Sequence, residues 1–391
     1  MIPNYYEFLC PVKILSGHKA LSNLSYELEQ LGVTQALVVT DKGVVGAGLL
    51  KKLKAAMKGG KVKITAVFDD VPVDSNTHVC NDIAKIYRDK KCDGIIALGG
   101  GSPIDTAKGV NIVVSEGTED LMKFQGMDRL DAPLAPFVVI PTTAGTGSEV
   151  TSAAVIKDVD RGVKLPFTSD KLYPNLAIID PMMTLTLPAK MTAATGMDAL
   201  THAIEAYIAL QKNPVSDAFA VSAIKLTFEF LPTCVSKPND KNARLAMANA
   251  ALLAGVAFSN AMVGIVHSMA HATGAVAHVP HGVANSILLP WGMEYNLPKA
   301  ADYFAELLPY MGVKDIPTRK RDRAKAAIQA VRDLTKNLEK LSGLPTTLSA
   351  AGVTKEQLPQ IANVAINDGS LIHNPIEADR KDLLKTLKKA F

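Results

Sequence analysis

The hydrophobic and polar positions follow different patterns in the two halves of the chain. Up to about residue 187, short runs of β-branched and other apolar residues alternate with stretches that carry apolar residues at helical spacing. This alternation is typical of a parallel sheet flanked by helices. The predicted strands are residues 36–40, 63–68, 94–98, 137–140 and 176–179.

Beyond Pro188 the apolar residues, mostly Ala, Leu and Met, recur every three or four positions, most clearly over 193–210 and 243–277. This spacing predicts an almost entirely helical region. We therefore expect two domains, an α/β domain over residues 1–187 and an all-helical domain over residues 188–391, with the boundary near Leu187-Pro188-Ala189.

Composition is compatible with this division and excludes several classes of protein. With 391 residues and 48% hydrophobic content, each domain has enough chain to bury a core. The 42 basic and 38 acidic residues form no long block of one sign, so we expect no nucleic-acid surface. No apolar stretch approaches ~18 uninterrupted residues, and the first residues lack the features of a secretory signal. We expect a cytoplasmic protein without a membrane partner.

The four cysteines, at positions 10, 80, 92 and 234, have no short spacing that would suit a thiolate metal site or a disulfide framework. We expect them to be free thiols in a reducing compartment.

A glycine-rich turn, Gly99-Gly100-Gly101-Ser102, lies between the predicted strand 94–98 and an apolar helical pattern over 104–110. Such a turn lets backbone N–H groups and a helix N-terminus approach a pyrophosphate. Its spacing matches neither the usual dinucleotide fingerprint nor a Walker A loop. The turn alone therefore leaves a dinucleotide site undecided.

Two further strand ends carry polar groups. Asp41 follows the strand 36–40, where its carboxylate could accept hydrogen bonds from a ribose and would repel a 2′-phosphate, favouring NAD over NADP; a turn or helix-cap role is the alternative. The loop 141–149 places four hydroxyls and two glycines after another strand, which suits a polyoxygenated ligand. A capping box at Ser148 or a merely polar turn would explain that loop equally simply.

Acidic and imidazole side chains recur at helical spacing in the second half. Asp198 and His202 are four residues apart, as are His267 and His271, and His281 follows. Residues four apart share a helix face, so these pairs suit a site of one carboxylate and three imidazoles. Hydrogen-bonded core histidines are the alternative. The ligand types fit Fe²⁺, Zn²⁺, Mn²⁺ or Ni²⁺ without choosing among them.

Four segments, 99–108, 141–149, 194–207 and 264–285, together resemble the iron-containing (group III) alcohol dehydrogenase family, and the resemblance extends along nearly the whole chain. It implies a Rossmann-like N-terminal domain, an all-helical C-terminal domain and a cleft for cofactor and metal, a layout shared with dehydroquinate synthase. The implied metal ligands are Asp198, His202, His267 and His281, with Fe²⁺ the foremost ion. The implied NAD-contacting residues are Asp41, Gly99, Gly100, Gly101, Ser102, Asp105, Thr142, Thr143, Thr146 and Lys164.

The resemblance also implies the reaction, the interconversion of primary alcohols and aldehydes by hydride transfer with NAD(H). The metal is expected to act as a Lewis acid on the alcohol oxygen. His267 acts there as a ligand, and His271 either relays the alcohol proton or orients the site. Family members form homo-oligomers from dimers to decamers, and we expect a homo-oligomer here.

Several positions bear on the substrate. Ala153 stands where relatives that handle vicinal diols have asparagine, which favours a small simple alcohol or aldehyde. Near the C-terminus, Ser370 and Ile376 replace a cysteine and an arginine that are common in the family. Phe258 is expected to line the pocket, with a core aromatic as the alternative, and Thr151 completes the expected pocket.

Three other functions stay open. One is a diol or polyol dehydrogenase of the same superfamily, acting on 1,2- or 1,3-propanediol, lactaldehyde or glycerol. Another is a sugar-phosphate lyase or synthase, which should place more basic residues in the second half. The third is a dinucleotide-binding regulatory protein without turnover, for which NAD binding would persist without alcohol oxidation.

Overall fold

The computed structural model describes residues 3–161 and 163–391, and its chain contacts divide into two compact units. We call residues 10–143 and 147–186 the sheet unit; the helical unit comprises the residues up to Leu9, residues 144–146 and residues 187–391. The long helical segment thus begins between Thr186 and Leu187. The grouping differs from a division at a single point, because two short segments that precede residue 187 belong to the helical unit.

Nine strands form two sheets among the described residues of the sheet unit. The strands are β1 (Lys13–Ser16), β2 (Gln35–Val39), β3 (Lys63–Phe68), β4 (Gly94–Gly99), β5 (Gly126–Met127), β6 (Phe137–Pro141), β7 (Ala153–Asp158), β8 (Val163–Thr168) and β9 (Leu176–Ile179). A six-stranded, fully parallel sheet has the order β1-β9-β6-β4-β2-β3, and a smaller sheet has the order β5-β8-β7.

Helices cover both faces of the large sheet, because its central strands are apolar at successive positions. The helices are α1 (Leu24–Gln30), α2 (Lys42–Gly46), α3 (Leu49–Ala56), α4 (Thr77–Asp89) and α5 (Gly101–Ser115). Alternate side chains of each central strand point to opposite faces of the sheet. Those on one face pack against α4 and α5, and those on the other face pack against α1 and α3. The expected parallel sheet with flanking helices is therefore confirmed.

All five predicted strands are present, with ends that agree to within one residue. β1 and the small sheet were not predicted from the sequence. β1 is an edge strand of four residues, of which three are exposed, so it lacks the apolar run that marked the others. β7 and β8 alternate buried and exposed positions and include Lys and Pro, which weakened the pattern.

The helical unit consists of eight helices among the described residues, around one continuous core. Their bounds are α6 (Ala189–Ile208), α7 (Pro214–Ser236), α8 (Lys241–Ala261), α9 (Ile265–Ala277), α10 (His281–Leu307), α11 (Lys320–Ser342), α12 (Leu358–Ala365) and α13 (Arg380–Ala390). Among the described residues, α7 is the one unbroken helix with the length and composition to cross a membrane, and it packs against α6 and α8.

The apolar stretch 243–277 is not one helix. It is interrupted between Ala261 and Ile265, where Met262 has a φ of 70°, and α8 and α9 diverge by 105°. A left-handed conformation is costly for a residue with a side chain and ends α8. Gly264 precedes α9 where a Cβ would lie 2.7 Å from Asn374 Oδ1, so only glycine fits. This bend directs α9 towards α6.

Candidate active site

Helix α6 supplies two of the expected ligands from one buried face. Asp198 and His202 lie one turn apart and are almost fully buried. Their ligand atoms, together with those of His267 and His281, all lie within 4.8 Å of one another. The structure thus brings together the four expected ligands, which the sequence spreads over three helices.

The other two ligands stand at the beginnings of α9 and α10. His267 lies in the first turn of α9, and His281 is the first residue of α10. Gly282 lets α10 approach α6 closely, because a Cβ there would lie 2.5 Å from the Ala194 carbonyl oxygen. The Nε2 atoms of His281 and His267 lie 3.3 Å and 3.9 Å from Asp198 Oδ1.

Electrostatics favour the anionic form of Asp198 and the neutral forms of His202 and His267. Burial alone would raise the pKa of Asp198, but the three imidazoles and the Asn285 amide hold it below its usual value. Burial lowers the pKa of His202, and it lowers the pKa of His267 well below the usual value, with His202 and His281 acting in the same direction. Neutral imidazoles offer lone pairs, so this donor set fits a divalent transition metal.

His271 lies beside these four residues but outside the four-atom cluster. Its ring stacks on His281, with 5.2 Å between centroids, and its Nδ1 is 2.8 Å from Asp368 Oδ2. The side chain is 44% exposed. Burial opposes ionisation of Asp368, but the contact with His271 outweighs it and lowers the pKa of the carboxyl. The ring is thus held by a carboxylate and remains accessible to solvent.

Two buried residues of this cluster were missed from the sequence. Glu205 Oε2 is 2.6 Å from His267 Nδ1, and Asn285 Nδ2 donates to Asp198 Oδ1 at 2.6 Å. Helical spacing could have found both. Glu205 lies three residues after His202, and Asn285 four residues after His281, so each shares a face with a ligand.

The expected cofactor residues of the sheet unit lie at one edge of the large sheet. β2, β4 and β6 are adjacent and parallel, so their carboxyl ends meet there. Asp41 follows β2, the glycine turn follows β4, and Thr142 and Thr143 follow β6. Ligands of open parallel sheets bind at this edge, where the strand order reverses.

The glycine turn fits a pyrophosphate group. Gly100 is the N-cap of α5 and provides no side-chain cap, so the first N–H groups of the helix stay available. A Cβ on Gly99 would lie 2.5 Å from the Pro103 ring, and one on Gly100 would lie 3.1 Å from Thr143 Cγ2. The turn therefore needs glycine at position 99, whereas a side chain at position 100 would require Thr143 to shift by a few tenths of an ångström.

Asp41 is the N-cap of α2, where its Oδ1 accepts a hydrogen bond from Val44 N at 2.9 Å. The capping role considered as the alternative is thus present, and contact with a ribose stays a prediction. The capping box considered for Ser148 is wrong, because Gly147 is the N-cap of that 3₁₀ turn. Ser148 instead donates to Asp105 Oδ1 at 2.9 Å.

The remaining expected cofactor residues are more dispersed. Asp105 also accepts from Val155 N at 3.1 Å, and Ser102 donates to the Val73 carbonyl. Lys164 forms a 2.6 Å ion pair with Asp74 on the surface of the sheet unit. Thr146 belongs to the helical unit. Contact of these side chains with a dinucleotide stays a prediction.

Lys108, on α5, is a fully buried lysine that the sequence analysis did not single out. Its Nζ donates to the carbonyls of Ser148, Thr151 and Ala153 at 3.0, 2.8 and 2.8 Å. Burial lowers its pKa to about 8, although Asp105 and Glu149 oppose the shift. The ammonium thus fixes the backbone of the loop that precedes β7. The sequence does indicate that this side chain is buried, because Lys108 lies four residues from both Ile104 and Ile112 on an apolar helix face.

The expected pocket residues divide between the units. Thr151 is buried against Lys108, and Ala153 begins β7 in the sheet unit. In the helical unit, Phe258 stacks on the His202 ring with 4.3 Å between centroids, so it directly adjoins a ligand. Ser370 donates its backbone N–H to Asp368 Oδ1 at 2.9 Å. Their contact with a substrate stays a prediction.

Comparison with known proteins agrees with this arrangement. Residues 11–181 match a family model described as iron-containing alcohol dehydrogenase, and residues 192–391 match one described as Fe-containing alcohol dehydrogenase family, C-terminal. A 1,3-propanediol dehydrogenase of Citrobacter freundii is 38% identical over 99% of both chains. An NAD-dependent methanol dehydrogenase of Bacillus methanolicus is 37% identical over 98% of this chain and 99% of its own. A solved 1,3-propanediol oxidoreductase is 37% identical, with a TM-score of 0.95, over 99% of this chain and 100% of its own.

Proposed function

This chain belongs to the iron-containing alcohol dehydrogenase family, and from that membership we propose that it interconverts small primary alcohols and aldehydes by hydride transfer with NAD(H). It is an alcohol-type oxidoreductase. The proposal adds that its substrate is a simple primary alcohol or the matching aldehyde. The observation that carries it is the convergence of Asp198, His202, His267 and His281 to within 4.8 Å.

The four converging side chains would hold one divalent metal, with Fe²⁺ the foremost ion. A metal there would supply a Lewis acid for the oxygen of the alcohol or aldehyde. The protein contributes one carboxylate charge and neutral imidazole donors, which the pKa shifts of Asp198 and His267 favour. Phe258, stacked on His202, adds an apolar wall beside the ligands.

NAD would bind at the carboxyl edge of the large sheet. The uncapped N-terminus of α5 suits the pyrophosphate, and Asp41 stands where it would accept from the adenosine ribose. A 2′-phosphate would meet that carboxylate, so NAD is preferred over NADP.

His271 is the residue we propose for movement of the alcohol proton. Asp368 engages its Nδ1, which leaves Nε2 as the atom that exchanges the proton, and the partly exposed ring gives a route to water. An orienting role beside His281 is the alternative for this residue.

A diol is the second candidate substrate, because two similar proteins are named for 1,3-propanediol. Ala153 argues against a vicinal diol, since the methyl side chain offers no hydrogen bond to a neighbouring second hydroxyl, and leaves 1,3-propanediol open. The ratio of kcat/KM for 1-propanol to that for 1,3-propanediol decides between the two. A homo-oligomer in the cytoplasm stays our expectation for assembly and location.

The decisive experiment is NAD reduction with a series of alcohols, using protein stripped by a chelator and then supplied anaerobically with Fe²⁺, Zn²⁺, Mn²⁺ or Ni²⁺. We expect one ion to restore activity in the wild-type protein and not in His267→Ala. His78→Ala is the control, because that side chain lies on the surface of the sheet unit. Full activity after verified removal of metal would refute the proposal.

A further inference from the structure

Glu205 lies on α6, seven residues after Asp198, and is 2% exposed. Its carboxylate reaches the beginning of α9. Oε1 accepts from Val266 N at 2.7 Å, and Oε2 is 3.3 Å from His267 N and 2.6 Å from the Nδ1 of the His267 ring. One buried side chain therefore contacts both the backbone and the ring of an expected metal ligand.

The backbone around Glu205 defines the direction of its hydrogen bonds. Backbone N–H groups donate to both carboxylate oxygens, so the side chain acts as an acceptor towards α9. An accepting oxygen 2.6 Å from Nδ1 requires Nδ1 to carry the ring proton. The lone pair of His267 is then on Nε2, which lies 3.9 Å from Asp198 Oδ1 and 3.2 Å from Asn285 Nδ2, on the side of the other ligands.

The beginning of α9 is fixed by a second buried contact. Asn374 Oδ1 accepts from Ile265 N at 3.2 Å and is itself held by an amide pair with Asn296. A Cβ on Gly264 would lie 2.7 Å from Asn374 Oδ1 and 3.1 Å from Glu205 Oε1. The backbone at His267 has little room to shift, so the ring depends on Glu205 for its proton position more than for its location.

We propose that Glu205 is a positioning residue that places the ring proton of His267 on Nδ1 and thereby presents Nε2 as a ligand. The metal part of this inference rests on the proposed function, whereas the position of the proton does not. The geometry that assigns the proton is the 2.6 Å contact of Glu205 Oε2 with Nδ1, made while both carboxylate oxygens accept from backbone N–H groups.

The substitution Glu205→Gln tests the proposal with little change in shape. An amide has one accepting atom and one donating group where the carboxylate has two acceptors. If the amide NH₂ faces the ring, the proton moves to Nε2 and blocks ligation. If it faced Val266 N, two donors would oppose each other, and because a backbone N–H cannot change its proton position, the orientation towards the ring is favoured.

Two readouts are needed, of which one uses no metal. In metal-free protein labelled with ¹⁵N-histidine, with His267→Ala used for assignment, we expect the Nδ1–H form in the wild type and loss of that form in Glu205→Gln. By competition with a chelator, we expect metal affinity to fall by about 10–100-fold, as for other residues that orient a ligand. Glu294→Gln, which alters a partly buried glutamate paired with Arg332, is the matched control.

The outcomes separate the two claims. The Nε2–H form in the wild type, or an unchanged form and affinity in Glu205→Gln, overturns the positioning role. The wild-type result stands even if the variant fails to fold. A wild-type protein with the Nδ1–H form that binds none of the four metals would count against the proposed function while supporting the position of the ring proton.

Discussion

At the scale of single residues, the polar groups of the core are explained by the partners that surround them. The four converging residues could be predicted because helical spacing paired Asp198 with His202 and the family resemblance selected His267 and His281. Glu205 and Lys108 were missed because their partners are backbone atoms of distant segments. Spacing within one helix carries no information on such partners.

Lys108→Met should destabilise the protein. The substitution removes the donor that serves three backbone carbonyls and leaves those acceptors buried, at a cost of about 2–3 kcal/mol. Relief from burying the ammonium offsets part of this cost. Urea unfolding measures the difference, with Lys157→Met on β7 as the control. Equal stability of the two variants would contradict the role assigned to Lys108.

Glu149→Gln should change stability in a manner that depends on pH. Burial raises the pKa of Glu149 to about 7, above the usual value of 4.5. Its protonated form therefore favours folding below about pH 4.5, and that contribution is lost as the pH rises through 7. The variant should gain stability over the wild type between pH 5 and pH 8, by up to on the order of 3 kcal/mol.

Thermal unfolding at several pH values in that range measures the gain. Glu119→Gln, which alters an exposed residue of the same unit, is the control. A stability difference between Glu149→Gln and the wild type that stays constant from pH 5 to pH 8 would disprove the effect of burial.

At the scale of elements, the sequence predicted those that form continuous apolar runs and missed those defined by long-range contacts. Four of the five predicted strands lie inside the large sheet, and the fifth, β3, lies at one edge but is mostly apolar. β1 lies at the other edge and has three exposed residues, and β7 belongs to the separate small sheet. The bend between α8 and α9 was also missed. It depends on the contact of Gly264 with Asn374, which is 110 residues away in sequence and was invisible to a pattern of apolar spacing.

Gly282→Ala should disturb the packing of α10 on α6. A Cβ there meets backbone atoms of Ala194, which have no rotamer to yield, so we expect a loss of about 1–3 kcal/mol and weaker metal binding. Gly274→Ala in α9 is the control, because its Cβ would meet the Val279 carbonyl at an ordinary 3.4 Å and helix propensity would rise. Denaturant unfolding and chelator competition measure both variants, and equal behaviour would exclude a steric role for Gly282.

At the scale of the whole molecule, the expected alternation of strands and helices followed by an all-helical region agrees with the observed architecture. What the sequence did not predict is the inclusion of residues 144–146 in the helical unit. Those residues lie within a loop of the first half, and their grouping depends on contacts such as the close approach of Gly145 to Thr195.

Removal of metal should affect the two units unequally. All four expected ligands belong to the helical unit, so a chelator should increase hydrogen exchange in α6, α9 and α10 and leave β2, β4 and β6 protected as before. A ligand that binds the folded state stabilises it by about 4 kcal/mol at 1,000 times its Kd, so the Tm of the helical unit should fall as well. Uniform changes across both units would contradict the placement of the metal.

Because the expected ligands lie on three helices, they leave the ribosome at different times during synthesis. Roughly 80 residues separate Asp198 from His281, which takes about 4–16 s at a translation rate of about 5–20 residues per second. Until His267 emerges, near the end of that interval, the growing chain presents only Asp198 and His202 of the four expected ligands. The proposed metal ion would therefore meet its full set of ligands only after the beginnings of α9 and α10 have left the ribosome.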